Sequence, residues 1–161
     1  MDVAILKGIY FVLTGGIMTQ SGLILGMYAS LQENAKKAII AAVLSTAIAD
    51  SLGDGIGIFY GEKTKYNNLN SNKAFISAIS LIIAKVLLGL MYAIIIYFNN
   101  IRNGVIISMI VSLLLLLISL NYLAILRKEN KKEFIIRNLL IILITSIVSY
   151  IIGVIINNLI D

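Results

Sequence analysis

The chain has 161 residues, 60% of them hydrophobic and only 13% charged, with a mean hydropathy of +0.99; a soluble domain is roughly half apolar and about a quarter charged. This balance excludes an ordinary soluble globular domain and predicts an integral membrane protein. Histidine, cysteine, tryptophan and proline are absent, which removes a disulfide framework, a thiolate metal site and the commonest transition-metal ligand. The net charge of +5 does not imply nucleic acid as a partner, because the basic residues sit almost entirely in short segments between apolar runs, where membrane topology accounts for them.

Five apolar segments, 8–30, 37–61, 74–98, 104–126 and 135–158, each exceed the ~20 residues that span a hydrocarbon core as a helix. With no water to satisfy backbone groups there, the expected fold is all-α: one transmembrane domain of five helices, 1–161. Five spans place the termini on opposite sides. Lys7, Lys63, Lys65, Lys73, Arg127, Lys128, Lys131, Lys132 and Arg137 fall on one side, against Lys36, Lys37 and Arg102 on the other. The positive-inside rule then puts the N-terminus in the cytoplasm and the C-terminus outside. The first segment is too long for a signal peptide and has a weak basic flank, so it is read as a true span. With no targeting extension, a prokaryotic cell membrane is the expected residence.

The first segment carries Thr14-Gly15-Gly16-Ile17-Met18-Thr19-Gln20-Ser21-Gly22, polar and small for a lipid-facing helix. Gly22 and Gly26 are spaced for close helix approach, either for packing alone or as a wall facing the second span. That second span holds the most unusual stretch, Ala49-Asp50-Ser51-Leu52-Gly53-Asp54-Gly55-Ile56-Gly57-Ile58-Phe59-Tyr60-Gly61-Glu62-Lys63. An ionisable residue in the bilayer interior costs at least ~2.5–3.5 kcal/mol on insertion scales, and here two aspartates share one helical face at i and i+4. Gly53, Gly57 and Gly61 form a second stripe, suited to close approach of another helix or to bending. Glu62 follows at the cytoplasmic mouth, so Asp50, Asp54 and Glu62 form a graded carboxylate path. The bland alternative is a protonated aspartate pair that merely joins helices.

The segment Lys63–Lys73, rich in asparagine (Asn67, Asn68, Asn70, Asn72), reads as a short polar loop. Lys85 lies near the centre of the third span, either snorkelling or serving as counter-ion to Asp50 or Asp54. The fourth span, around Leu113-Leu114-Leu115-Leu116-Leu117, reads as lipid-facing scaffold. The loop Arg127–Glu133 reads as a topological anchor. The fifth span offers Thr145, Ser146, Ser149 and Gly153 for packing.

Taken together, these pieces resemble the vacuolar iron transporter family. The resemblance rests on Gly15-Gly16-Ile17-Met18-Thr19-Gln20-Ser21-Gly22-Leu23-Ile24-Leu25-Gly26 in the first span. In the second it rests on Ala49-Asp50-Ser51-Leu52-Gly53-Asp54-Gly55-Ile56-Gly57-Ile58-Phe59 followed by Lys63-Thr64. It implies a five-helix protomer, a homodimer with its pathway between subunits, and proton-coupled export of Fe²⁺ or Mn²⁺ from the cytoplasm. Position by position, the family's first-span aspartate falls on Gly15 and its second-span methionine on Asp54. Its further glutamates fall on Thr46 and Ile58. The family's cytoplasmic metal-binding helices have no counterpart between Glu62 and Lys73.

The expected function is therefore divalent cation transport with no resident cofactor. The candidate metal ligands are Asp50, Asp54, Gln20, Met18 and Glu62, with Thr14 and Thr19 as further neutral ligands. Asp50, Asp54 and Lys85 are the candidates for proton coupling, since paired carboxylates hold protons when empty and release them to a cation. Oxygen ligands suit Mn²⁺, Fe²⁺, Mg²⁺ or Ca²⁺. The expected partners are a second copy of the chain, the bilayer, divalent ions and protons. The competing reading is a membrane scaffold that kept the fold and lost the metal site. An enzyme is not expected, because no catalytic constellation such as HExxH is present.

Overall fold

The computed structural model describes residues 6, 9–32, 35–65, 71–127 and 130–160. Within them, five helices are long and apolar enough to cross a membrane. The first, Ile9–Leu31, contains a π-helical turn, Val12–Gly16, and continues as α1, Ile17–Leu31. It is followed by α2 (Ala35–Lys65), α3 (Ser71–Phe98), α4 (Ile101–Arg127) and α5 (Lys131–Ile160). Residues between the helices are few, so consecutive helices run antiparallel.

The helices overrun the apolar segments at their polar ends. Lys63–Lys65 and Ser71–Lys73, expected in a loop, belong to α2 and α3, and Lys131–Glu133 open α5. The overrun has a local cause. Past the apolar stretch the backbone still hydrogen-bonds to itself, Thr64 Oγ1 donates to Tyr60 O at 2.8 Å, and Glu133 lies in the first turn of α5, where the helix dipole favours an anion. Lys7, Asn67, Asn68, Asn70 and Lys128 lie outside the described residues. At the opposite end, Gln32 at φ 49° turns the chain out of α1. There, too, the Lys36 ammonium donates to Asn99 O at 2.9 Å, tying the start of α2 to the end of α3.

Two helix pairs form the frame. Along α2 a buried row recurs every fourth residue: Ala35, Ile39, Val43, Ala47, Ser51 and Gly55. This row packs on α3, where Gly89 sits against the Ala47 methyl and a Cβ at Gly55 would come within 2.8 Å of Ile82. The second pair is α1 with α5. Gly22 and Gly26 face Ser149, and Gly153 sits directly on the Gly26 carbonyl, so any side chain at Gly153 would collide with backbone. These contacts let the helix axes approach closely, the usual basis of packing where lipid and side chain are equally apolar.

The core between the pairs is filled by Ile17, Ile24, Leu81, Leu88, Tyr92, Leu116 and Leu120. The Tyr92 hydroxyl shares a 2.6 Å hydrogen bond with Ser112 Oγ of α4, which also donates to Ser108 O. The run Leu113-Leu114 faces outward, as do most side chains of α5.

Candidate functional site

Asp50, Asp54 and Lys85 meet at the centre of the helices. The two aspartates lie one turn apart on α2, about 6 Å along its axis, and Lys85 occupies the middle of α3. The Lys85 ammonium donates to Asp50 Oδ2 at 2.8 Å and to Asp54 Oδ2 at 2.6 Å. The lysine side chain is 2% exposed, whereas the aspartates are 42% and 33% exposed. Lys85 thus spends its charge inward on α2 rather than reaching a helix end, so the snorkelling alternative does not describe it. A methylene stem of four carbons bridges the two helices, and the cation sits on the i, i+4 face that the two carboxylates share.

The local sequence shapes the space around this lysine. The π-helical turn Val12–Gly16 inserts an extra residue per turn into the first span, a distortion that recurs at functional sites. Thr14 Oγ1 donates to Tyr10 O at 3.0 Å within it. The turn ends on Gly16, whose missing Cβ would lie 3.8 Å from Lys85 Cγ and 3.5 Å from Leu88. Gly16 therefore lets the first span lie close against the lysine stem.

Asp54 also lines a groove of about 490 Å³ with Phe11, Gly53, Gly57, Ile58, Gly61 and Glu62. Asp54 and Glu62 are two turns apart, so the groove carries a carboxylate at either end, with glycine backbone between. The three glycines of this groove continue a ridge of small residues, Ala41, Ser45, Ala49, Gly53, Gly57 and Gly61, one every four residues and all exposed. Gly53, Gly57 and Gly61 have no neighbour within 4 Å of where a Cβ would stand. Their position differs from that of Gly22 and Gly26, which already face α5.

The remaining sequence-derived candidates are not gathered at the cluster. Gln20 is fully buried, and its Nε2 donates to Val43 O at 3.3 Å, two turns before Asp50 on α2. Its Oε1 has no partner among the described residues. Met18 is half-buried and two residues from Gln20, on the other side of α1. Thr14 and Thr19 turn their hydroxyls to carbonyls of their own helix, Thr19 to Gly15 O at 3.0 Å. Among the described residues no three acidic, histidine or cysteine side chains converge on one point.

Two contributors went unnoticed in the sequence. One is the π-helical turn, for which Gly15-Gly16 inside an apolar helix was the available signal. The other is the extension of the glycine stripe backward through Ala49, Ser45 and Ala41, visible as a fourfold repeat of small residues. Comparison of the chain with protein-family models, curated proteins and solved structures finds no match.

Proposed function

We propose that the chain is a homodimeric, proton-coupled divalent cation transporter of a cell membrane, with α2 lining the pathway and Asp50, Asp54 and Lys85 forming the exchange site. The observation that carries this reading is the buried Lys85 ammonium bonded to both aspartates in the middle of apolar helices. A buried ion pair is weak as a stabilising device, since apolar residues of the same shape do as well or better. Ionisable side chains inside spans instead mark ion or proton routes by default.

Charge balance supports the coupling. Two carboxylates and one ammonium sum to −1. A divalent cation arriving at the carboxylates displaces the ammonium, and departure of one proton leaves the site neutral, the cheapest state in a low-dielectric interior. The oxygen ligands favour Fe²⁺, Mn²⁺, Mg²⁺ or Ca²⁺ over soft ions, and the family resemblance favours Fe²⁺ or Mn²⁺. The groove from Asp54 to Glu62 supplies an access route from the side that the positive-inside rule assigns to the cytoplasm. Transport outward from there is export.

The exposed aspartates support a dimer. In a single protomer Asp50 and Asp54 are 42% and 33% exposed, which is costly for a charge facing lipid; a second copy packed on the small-residue ridge would cover them. A ridge with four-residue spacing advances about 40° per step around the helix, so two copies touch over only part of it. Contact around Ala49, Gly53 and Gly57 lies at the level of Asp54. Gly57→Leu adds a side chain into space that is open in the protomer. It is expected to leave the fold intact and weaken self-association by about tenfold or more, read by cross-linking and sedimentation in detergent. An unchanged dimer would remove α2 from the interface.

A scaffold that lost its metal site is the second reading, favoured by the lack, among the described residues, of a third acidic side chain converging on the two aspartates. Equilibrium dialysis of the purified dimer with Mn²⁺ separates the two. Saturable binding that disappears in Asp50→Asn/Asp54→Asn supports transport. Binding absent, or indifferent to those substitutions, supports the scaffold.

A further inference from the structure

The buried carboxamide of Gln20 is half satisfied. Its Nε2 faces the Val43 carbonyl at 3.3 Å, and an amide facing a carbonyl must present its N–H. The oxygen is thereby forced to the other side, where it is fully buried and finds no donor among the described residues. An unpaired buried acceptor costs free energy, and within apolar helices no solvent relieves it.

The register of three helices brings this acceptor close to Lys85. Gly16 of the first span lies beside Lys85 Cγ, and Gln20 is one helical turn further along the same face. Val43, which holds the Gln20 amide, packs on Gly89, one turn beyond Lys85 in the same direction. The attachment point of Gln20 therefore lies about one turn, roughly 6 Å, along the bundle axis from that of Lys85, an offset comparable to the length of a four-methylene stem.

We propose that Gln20 Oε1 is a second seat for the Lys85 amino group, taken when a cation occupies Asp50 and Asp54. The inference rests on the exchange reading above and adds to it a positioning residue: Lys85 alternates between two carboxylates and one carboxamide. A lysine that leaves its carboxylates still has buried N–H groups to satisfy, and Gln20 offers the acceptor one turn away that is otherwise idle.

The seat is tested without transport by a stability cycle on the full-length protein in detergent. Gln20→Met keeps the volume and removes the acceptor. In the wild-type background, where Lys85 sits on the aspartates, it is expected to change Tm little. In Asp50→Leu/Asp54→Leu, which removes both acceptors so that Lys85 depends on Gln20, the same substitution is expected to lower Tm by about 5 °C more. Equal shifts in the two backgrounds would overturn the proposal. Cation affinity gives the second readout. Gln20→Met is expected to weaken Mn²⁺ binding about tenfold, because the displaced lysine has nowhere to go. Gln20→Glu is expected to strengthen it, because a carboxylate there draws Lys85 off the site. A merely structural glutamine would weaken binding in both variants, and that result would also overturn the seat. Should the wild type bind no cation at all, the exchange reading falls while the stability cycle still decides whether Lys85 uses Gln20.

Discussion

Lys85→Met is expected to be among the most damaging single substitutions in the chain, and the damage is expected to be reversible by removing the aspartates as well. Met preserves the volume of the stem beside Gly16, so little of the effect comes from packing. What is lost is the cation that both carboxylates share at 2.8 and 2.6 Å. Breaking one side of a buried ion pair typically costs about 3–5 kcal/mol, because a charge is left unpaired. Here the aspartates are partly exposed within the protomer, so about 3 kcal/mol is the expected loss. The triple variant Lys85→Met/Asp50→Asn/Asp54→Asn removes the charges together and is expected to recover most of it. Thermal unfolding of the three proteins in one detergent checks this. A triple variant as unstable as Lys85→Met would show that the lysine acts through packing rather than charge.

Asp54→Asn is expected to abolish cation-driven proton movement while leaving a folded dimer. Asp54 makes the shorter bond to Lys85 and is the aspartate that lines the groove. On the exchange reading it is therefore the carboxylate an arriving cation would meet first. Asparagine keeps the shape and an oxygen ligand but removes the charge that a divalent ion needs to compete with the ammonium. Asp50 retains a bond to Lys85 at 2.8 Å, which is enough to hold the lysine in place and the helices together. The expected flux is that of protein-free vesicles, and size-exclusion behaviour identical to wild type is the control for folding. Flux in Asp54→Asn above one tenth of wild type would move the site elsewhere.

These expectations depend on features that differed in how openly the sequence carried them. The five spans were legible because an apolar run of this length has few other uses, and charge at their ends marked the loops. The helices nevertheless run further than the apolar runs, as at Lys63–Lys65 and Ser71–Lys73, because hydropathy marks where lipid ends rather than where a helix ends. Asp50, Asp54 and Lys85 stood out individually, since each is costly inside a span. Their meeting did not follow from spacing: the i, i+4 relation put both aspartates on one face, but only the pairing of α2 with α3 sets Lys85 between them.

The glycines show the limit most clearly. Gly22 with Gly26 and Gly53 with Gly57 have the same four-residue spacing. One pair is packed against α5, and the other lies open on the surface of the chain. Local sequence specifies a small surface and does not name the neighbour. Gln20 is similar. Its polarity in an apolar helix flagged it as a ligand, yet its amide is held by Val43 O and only its oxygen is free.

The central claim is that Asp50, Asp54 and Lys85 exchange a divalent cation for a proton across the membrane. The most direct measurement places the purified wild-type protein in vesicles with a pH-sensitive dye inside and adds Mn²⁺, Fe²⁺, Mg²⁺ or Ca²⁺ outside in turn, with Asp54→Asn in parallel. The predicted result is a change in internal pH for Mn²⁺ or Fe²⁺ that requires the intact protein and is lost in the variant. Silence for every cation, from a protein shown to be folded and dimeric, would contradict the account and leave the charged cluster as part of a membrane scaffold.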